Sequence, residues 1–223
     1  MRGRTDRPRR FRNSSSRPQD YAAEPSCSSA RVSVCAISVA AMRRIDTTAI
    51  RQLGIPRLLL MEHAGLAVAQ EVRRLCPDPS AVMAFCGTGF NGGDGLAAAR
   101  HLSAWGYRLH LVLTGLVKRL RDEPAIYAHI LRKLGLPFLE VVVPLARSRI
   151  VGRMDDCAVL IDALLGIGAQ GVVREPIASC IAWMNRSGKP IVAVDIPSGI
   201  DADTGHPQGA AICATSTVPQ VSQ

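Results

Sequence analysis

The sequence predicts an α/β fold: a Rossmann-like, doubly wound, mainly parallel sheet with helices on both faces, in three αβα layers. Three observations carry the prediction. Short apolar runs alternate with helical segments of about 10–15 residues, the rhythm of strand–helix–strand units. Those runs are apolar throughout rather than at every second residue, as expected of strands covered on both faces. Glycines and aspartates follow directly on three of them, where a parallel sheet carries its ligand loops.

Each element can be justified in order. Ile45, Ala49, Ile50 and Leu53 recur at helical spacing until Gly54-Ile55-Pro56. Residues 58–75 read as a long helix stopped by Cys76-Pro77-Asp78-Pro79. AVMAFC (81–86) has strand length, GTGFNGGDG (87–95) is a loop, and LAAARHLSAWG (96–106) is a helix ending at Gly106. A second strand is predicted over 108–115, a helix over 122–135 and a third strand over 138–143. A fourth strand lies within 157–166, a helix over 174–188, and a fifth strand over 190–199. Beyond it, Ala214-Thr215-Ser216-Thr217-Val218 breaks into PQVSQ, so the last strand or strands of the sheet are expected to be missing.

Composition narrows the function. With 48% hydrophobic and 20% charged residues, the 223-residue chain can build a globular core, which excludes a wholly disordered protein. No run reaches about 18 uncharged apolar residues, so no membrane-spanning helix is expected. Aromatics are only 4%, leaving few platforms for stacking single-stranded nucleic acid. The net charge of +9 is unevenly spread: residues 1–40 hold eight Arg against three acidic residues. Residues 1–41 read as a disordered Arg/Ser-rich leader and 42–223 as one domain. The leader is compatible with an organellar transit peptide, a plain extension, or a start that truly falls at Met42. The expected location is cytoplasmic, or mitochondrial if the leader is a transit peptide. The seven scattered cysteines form neither a disulfide framework nor a zinc site, and Cys86 and Cys157 read as small core hydrophobes.

The chemistry falls in three strand-end loops. Gly87-Thr88-Gly89-Phe90-Asn91-Gly92 is a G-x-G-x-x-G that could bring backbone N–H groups to a phosphate. The second strand, however, ends in Thr114-Gly115, where an ordinary NAD dehydrogenase carries an acid for the ribose. Asp94 could cap the following helix or face a ligand. Asp162 ends a buried run and leads into Gly166-Ile167-Gly168-Ala169-Gln170-Gly171-Val172, a second cradle. Asp195 ends the run IVAV, where partial desolvation raises a carboxyl pKa toward acid–base use. Asp201 and Asp203 read as turn residues.

These loops, together with Leu60-Met61-Glu62-His63-Ala64-Gly65 and Ala99-Arg100-His101-Leu102, resemble the YjeF amino-terminal domain family of NAD(P)H-hydrate epimerases. The resemblance runs from about Met42 to Thr217. It implies interconversion of the R and S forms of hydrated NADH and NADPH (NADHX and NADPHX), so that an ADP- or ATP-dependent NAD(P)HX dehydratase can repair both. It implies substrate contacts from Phe90, Asn91, Gly92, Gly93 and Asp94 and from Gly166 through Val172, with Asp195 at the reacting ring. It implies one potassium ion on Asn91, Asp162 and Ser198, and a possible homodimer. Two positions depart from the family pattern: Phe90 stands for an Asn, so its side-chain hydrogen bond is lost or becomes stacking, and His63 stands for another Asn. The early end raises the alternative of an inactive truncated fragment, and the resemblance also implies the alternative of a non-catalytic dimerisation module that binds RNA or protein partners, against which the intact Asp162, Asp195 and Asn91-to-Gly95 segment argue.

Overall fold

The computed structural model describes residues 38–142 and 148–220, so the leader reading for residues 1–37 lies outside the described residues. Helix α1 (Val39–Arg51) starts three residues before Met42. Ser38 caps it by accepting a hydrogen bond from the Ala41 amide, and Val39 N–H donates to Asp203. Then follow α2 (Arg57–Leu75), β1 (Ala81–Cys86), α3 (Phe90–Ala104) and β2 (Arg108–Leu113). A 3-10 turn (Val117–Arg119) leads into α4 (Asp122–Lys133) and β3 (Phe138–Glu140). The chain continues as α5 (Ser148–Asp155), β4 (Val159–Ala163), α6 (Ile177–Arg186), β5 (Ile191–Val194) and β6 (Ser216–Val218).

Among the described residues all six strands are parallel, in the order β3-β2-β1-β4-β5-β6. The order reverses between β1 and β4, and the crevice beyond the carboxyl ends of those two strands is the expected ligand position. Side chains of one strand point alternately to the two faces. Val82, Ala84 and Cys86 accordingly join the core under α2, α3 and α4, whereas Ala81, Met83 and Phe85 join the core under α5 and α6. Every residue of β1 is buried, which is why its sequence shows no alternation. Cys86, Cys157 and Cys180 are buried thiols. Among the described residues no helix is long and apolar enough to cross a membrane.

Three elements differ from the sequence expectation. Helix α3 begins at Phe90 and absorbs the glycines read as loop, with Gly89 as its N-cap, so Asp94 lies inside the helix and does not cap it. Those glycines serve close packing. A Cβ on Gly92 would sit 2.0 Å from the Gly87 carbonyl oxygen, one on Gly93 2.6 Å from Met61 Cε, and one on Gly95 2.4 Å from Ala163 Cβ. Helix α5 has no counterpart in the reading; among the residues whose burial is described there, Ile150, Met154 and nearby Cys157 are buried, too short a stripe to show a period. Finally, β6 pairs with β5 and forms the sheet edge; Thr217 and Val218 are β-branched, but a run of three residues stopped by Pro219 is too short to read as a strand.

The packing of α2 on α3 depends on a second small residue. A Cβ on Gly65 would lie 2.4 Å from Ala97 Cβ and 2.7 Å from the Ala98 amide nitrogen, inside the helix contact. Gly65→Ala is expected to cost about 3 kcal/mol through overpacking. Urea unfolding measures this; a loss below about 1 kcal/mol would mean that the helices separate freely.

Candidate active site

The site is built where β1, β4 and β5 end. After β5 the chain turns abruptly: Asp195 adopts φ 69°, uncommon for a residue with a side chain, and the strand ends at Val194 rather than running on to Gly199. The Asp195 amide donates to the Val218 carbonyl (2.9 Å), so β6 fixes the backbone of this residue. Its carboxylate accepts from the Ile167 amide (2.9 Å), across from the loop that follows β4, and also from the Gln220 amide. Burial raises the Asp195 pKa above the ordinary carboxylate value. The two backbone donors pull the other way, and the charge of Asp46 on α1 adds to the rise.

Asp162 and Ser198 are the two fully or nearly fully enclosed polar residues of the described core. Asp162 accepts from the Ser198 hydroxyl (2.6 Å), the Ser198 amide (2.8 Å) and the Leu164 amide (3.3 Å). Even so, burial pushes its pKa up to about 6. The Ser198 hydroxyl also accepts from the Leu165 amide (2.9 Å), tying the loops after β4 and β5 together.

Asn91 lies in the first turn of α3, and both polar atoms of its amide are buried without a hydrogen-bond partner. A Cβ on Gly166 would fall 2.9 Å from Asp195 Oδ2 and 3.1 Å from Asn91 Cγ, so Gly166 sits between these two side chains and only hydrogen fits. Asp94, one turn along α3 from Asn91, has its pKa raised well above normal by burial and by the charges of Asp195 and Asp46. Asn91, Asp94, Asp162, Gly166, Ile167, Asp195 and Ser198 thus gather at one end of the sheet.

The other predicted residues lie around this centre. Gly92 and Gly93 are buried packing positions. Phe90 is half exposed, with the Arg57 guanidinium over its ring at 4.6 Å, so stacking replaces a side-chain hydrogen bond. Gly168, Ala169, Gln170, Gly171 and Val172 form an exposed rim, and Val172 is 72% exposed. Asp201 is a turn residue: it accepts from the amides of Asp203 and Thr204. His63 is exposed on α2.

The sequence reading missed three contributors. Gln220 and Val218 act through backbone groups, which no side-chain pattern reveals. Asp46 belongs to a helix read only for its apolar stripe. A cavity of about 370 Å³ opens beside the Gly-rich turn, between Thr88, Phe90 and the segment after β2 that includes Thr114, Arg119 and Arg121. The missing ribose acid at the end of β2 was the available signal for it.

Comparison with known proteins supports the fold and assigns a family. The family described as YjeF-related protein N-terminus matches residues 57–220. The chain is 37% identical over 183 residues to a protein of Limosilactobacillus fermentum named NAD(P)H-hydrate epimerase, covering 82% of this chain and 84% of that one. It is 44% identical over 168 residues to the bifunctional NAD(P)H-hydrate repair enzyme Nnr of Pyrobaculum aerophilum, covering 74% of this chain and 33% of the relative. The chain thus spans about a third of the length of such bifunctional relatives. The crystal structure of yeast YNL200c superposes with a TM-score of 0.74 at 27% identity, covering 83% of this chain and 82% of that one. The chain belongs to the family described as YjeF-related protein N-terminus.

Proposed function

We propose that the chain is an NAD(P)H-hydrate epimerase, an isomerase that interconverts the R and S forms of NADHX and NADPHX. The observation that carries the reading is Asp195: a partly desolvated carboxyl with strained backbone, held by the loop after β4 on one side of β5 and by β6 on the other. Its setting, in a chain matching most of a relative named NAD(P)H-hydrate epimerase, supports that substrate. The protonated Asp195 gives its proton to the hydroxyl on C6 of the hydrated nicotinamide ring. The C6–O bond breaks, water leaves, and a planar iminium ring remains beside the carboxylate. Water adds to either face of C6, and Asp195 takes back the proton. Gly166 keeps the approach to Asp195 open, and Ile167 N–H orients the carboxylate. The rim from Gly168 to Val172 is the proposed cover over the ring.

The donor set of Asn91, Asp162 and Ser198 fits a potassium ion, since amide, carboxylate and hydroxyl oxygens suit a hard cation and the Asn91 amide is buried without a partner. When bound, the ion supplies a charge that offsets buried Asp162 and screens substrate phosphates. An ADP- or ATP-dependent NAD(P)HX dehydratase is the proposed pathway partner, and a homodimer the proposed assembly.

The test incubates protein with purified R- or S-NADHX and follows epimer ratios by chromatography; no acceleration over spontaneous interconversion removes the reading. Potassium chloride is expected to speed the reaction and raise Tm relative to lithium chloride at equal ionic strength, because a ligand held only by the folded state stabilises it. Equal rates and equal Tm in the two salts would remove potassium from the site.

A further inference from the structure

We infer that the cavity beside the Gly-rich turn is a 2′-phosphate subsite, built on Arg119 and Arg121, that makes the chain prefer the phosphorylated substrate NADPHX over NADHX. The inference rests on the epimerase reading and deepens it by naming the preferred substrate.

The position comes from the topology. A dinucleotide at the switch point of a β3-β2-β1-β4-β5-β6 sheet lies across it, with one half over β4 and β5 and the other over β1 and β2. Asp195 follows β5, which assigns the nicotinamide end to that side. The adenosine end then falls beyond β1 and β2, where the cavity of about 370 Å³ lies. That size is within the range of small-ligand pockets.

The chemistry of this end separates the two substrates, which differ only by a phosphate on the adenosine ribose. Selection for a free 2′-hydroxyl uses an acid at the end of the second strand, whereas an arginine nearby accommodates a 2′-phosphate. Here β2 runs into Thr114 and Gly115, and both line the cavity. Glu140, at the end of β3, is engaged elsewhere: it accepts from the Val117 amide at 3.0 Å and lies 3.8 Å from Arg132. Arg119 and Arg121 line the cavity, with Asp122 as the one carboxylate among its lining residues. Arg121 Nη1 donates to the carbonyls of Lys118 (3.1 Å) and Leu120 (2.9 Å), which anchors its guanidinium against the 3-10 turn. Arg119 is exposed, and its guanidinium makes no hydrogen bond or ion pair among the described residues. One anchored and one uncommitted guanidinium suit a phosphate that accepts several charge-assisted hydrogen bonds.

Calorimetric titration of the full chain tests this with three probes: adenosine 2′,5′-bisphosphate, adenosine 3′,5′-bisphosphate and adenosine 5′-monophosphate. The 2′,5′-bisphosphate is expected to bind about tenfold or more tightly than either other probe. Arg119→Ala is expected to remove most of that ratio, and Arg121→Ala part of it, with circular dichroism confirming the fold. Equal affinity for the two bisphosphates would reduce the cavity to general anion attraction and overturn the inference, as would an unchanged ratio in Arg119→Ala. Epimerisation of NADHX and NADPHX by the same preparations separates the two readings. Turnover with equal probe affinities keeps the activity and removes the subsite, whereas selective probe binding without turnover does the reverse.

Discussion

Asp195→Asn is expected to lower the enzymatic rate of epimerisation by about 10²–10⁴-fold, the usual worth of a positioned proton donor, while leaving the fold intact. Asn is the right replacement because the backbone here sits at φ 69°, a region that Asn tolerates better than most residues. Its amide oxygen can still accept from Ile167 N–H, so the loop after β4 stays in register. What disappears is the transferable proton. The measurement is the rate of approach to the epimer equilibrium, less the spontaneous rate, beside a thermal melt; wild-type activity in a folded Asp195→Asn protein would remove Asp195 from the chemistry.

The pH dependence follows from the same group. Burial raises the Asp195 pKa, so the protonated form that donates first persists to higher pH than in a free carboxyl. Activity is then present below the raised pKa and lost as pH rises through it. In kcat/KM this limb reports the free enzyme, and in kcat the substrate complex. A nicotinamide ring over the carboxyl desolvates it further, so the limb in kcat is expected at higher pH than that in kcat/KM. A limb that persists in Asp195→Asn would belong to another group, with Asp94 the first to examine because its own pKa is raised partly by Asp195.

Much of this site was legible because the fold writes it into short contiguous segments. The runs AVMAFC, VLID and IVAV announce buried strands by being apolar throughout, and the residues that follow them are the ligand loops by the logic of a parallel sheet. Asp162 and Asp195 could therefore be picked from sequence, and the structure brings both to one end of the sheet. The glycines of the first loop misled. Gly92, Gly93 and Gly95 look like flexible punctuation, yet they lie in α3 and are glycine because Gly87, Met61 and Ala163 leave no room for a Cβ. Propensity concerns a residue alone, whereas these positions are decided by neighbours distant in sequence. The support of Asp195 by Val218 and Gln220 is illegible for a different reason: only main-chain atoms take part.

Asp162→Ala is expected to remove about 3 kcal/mol of stability and the response to potassium together, and Asp162→Asn to separate the two. In the wild type the carboxylate satisfies three donors in a region closed to water: the Ser198 hydroxyl and amide, and the Leu164 amide. Alanine leaves them without this acceptor, at about 1–3 kcal/mol for each buried donor that finds no other. The Ser198 hydroxyl keeps an outlet to the Leu165 carbonyl (3.2 Å), and relief of a buried charge offsets part of the rest. A net loss of about 3 kcal/mol corresponds to roughly 6–12 °C in Tm for a domain of this size. Asparagine keeps the shape and one acceptor oxygen, and its NH2 can donate to Ser198 Oγ, so it should cost only about 1 kcal/mol. Neither variant carries the negative charge that buried Asp162 would present to a cation. If the charge is what holds the ion, both lose the difference between potassium and lithium in rate and Tm. An Asp162→Asn protein that still distinguishes the two salts would leave Asp162 as a hydrogen-bonding brace between the loops after β4 and β5, and the ion would then rest on Asn91 and Ser198 without needing the Asp162 charge.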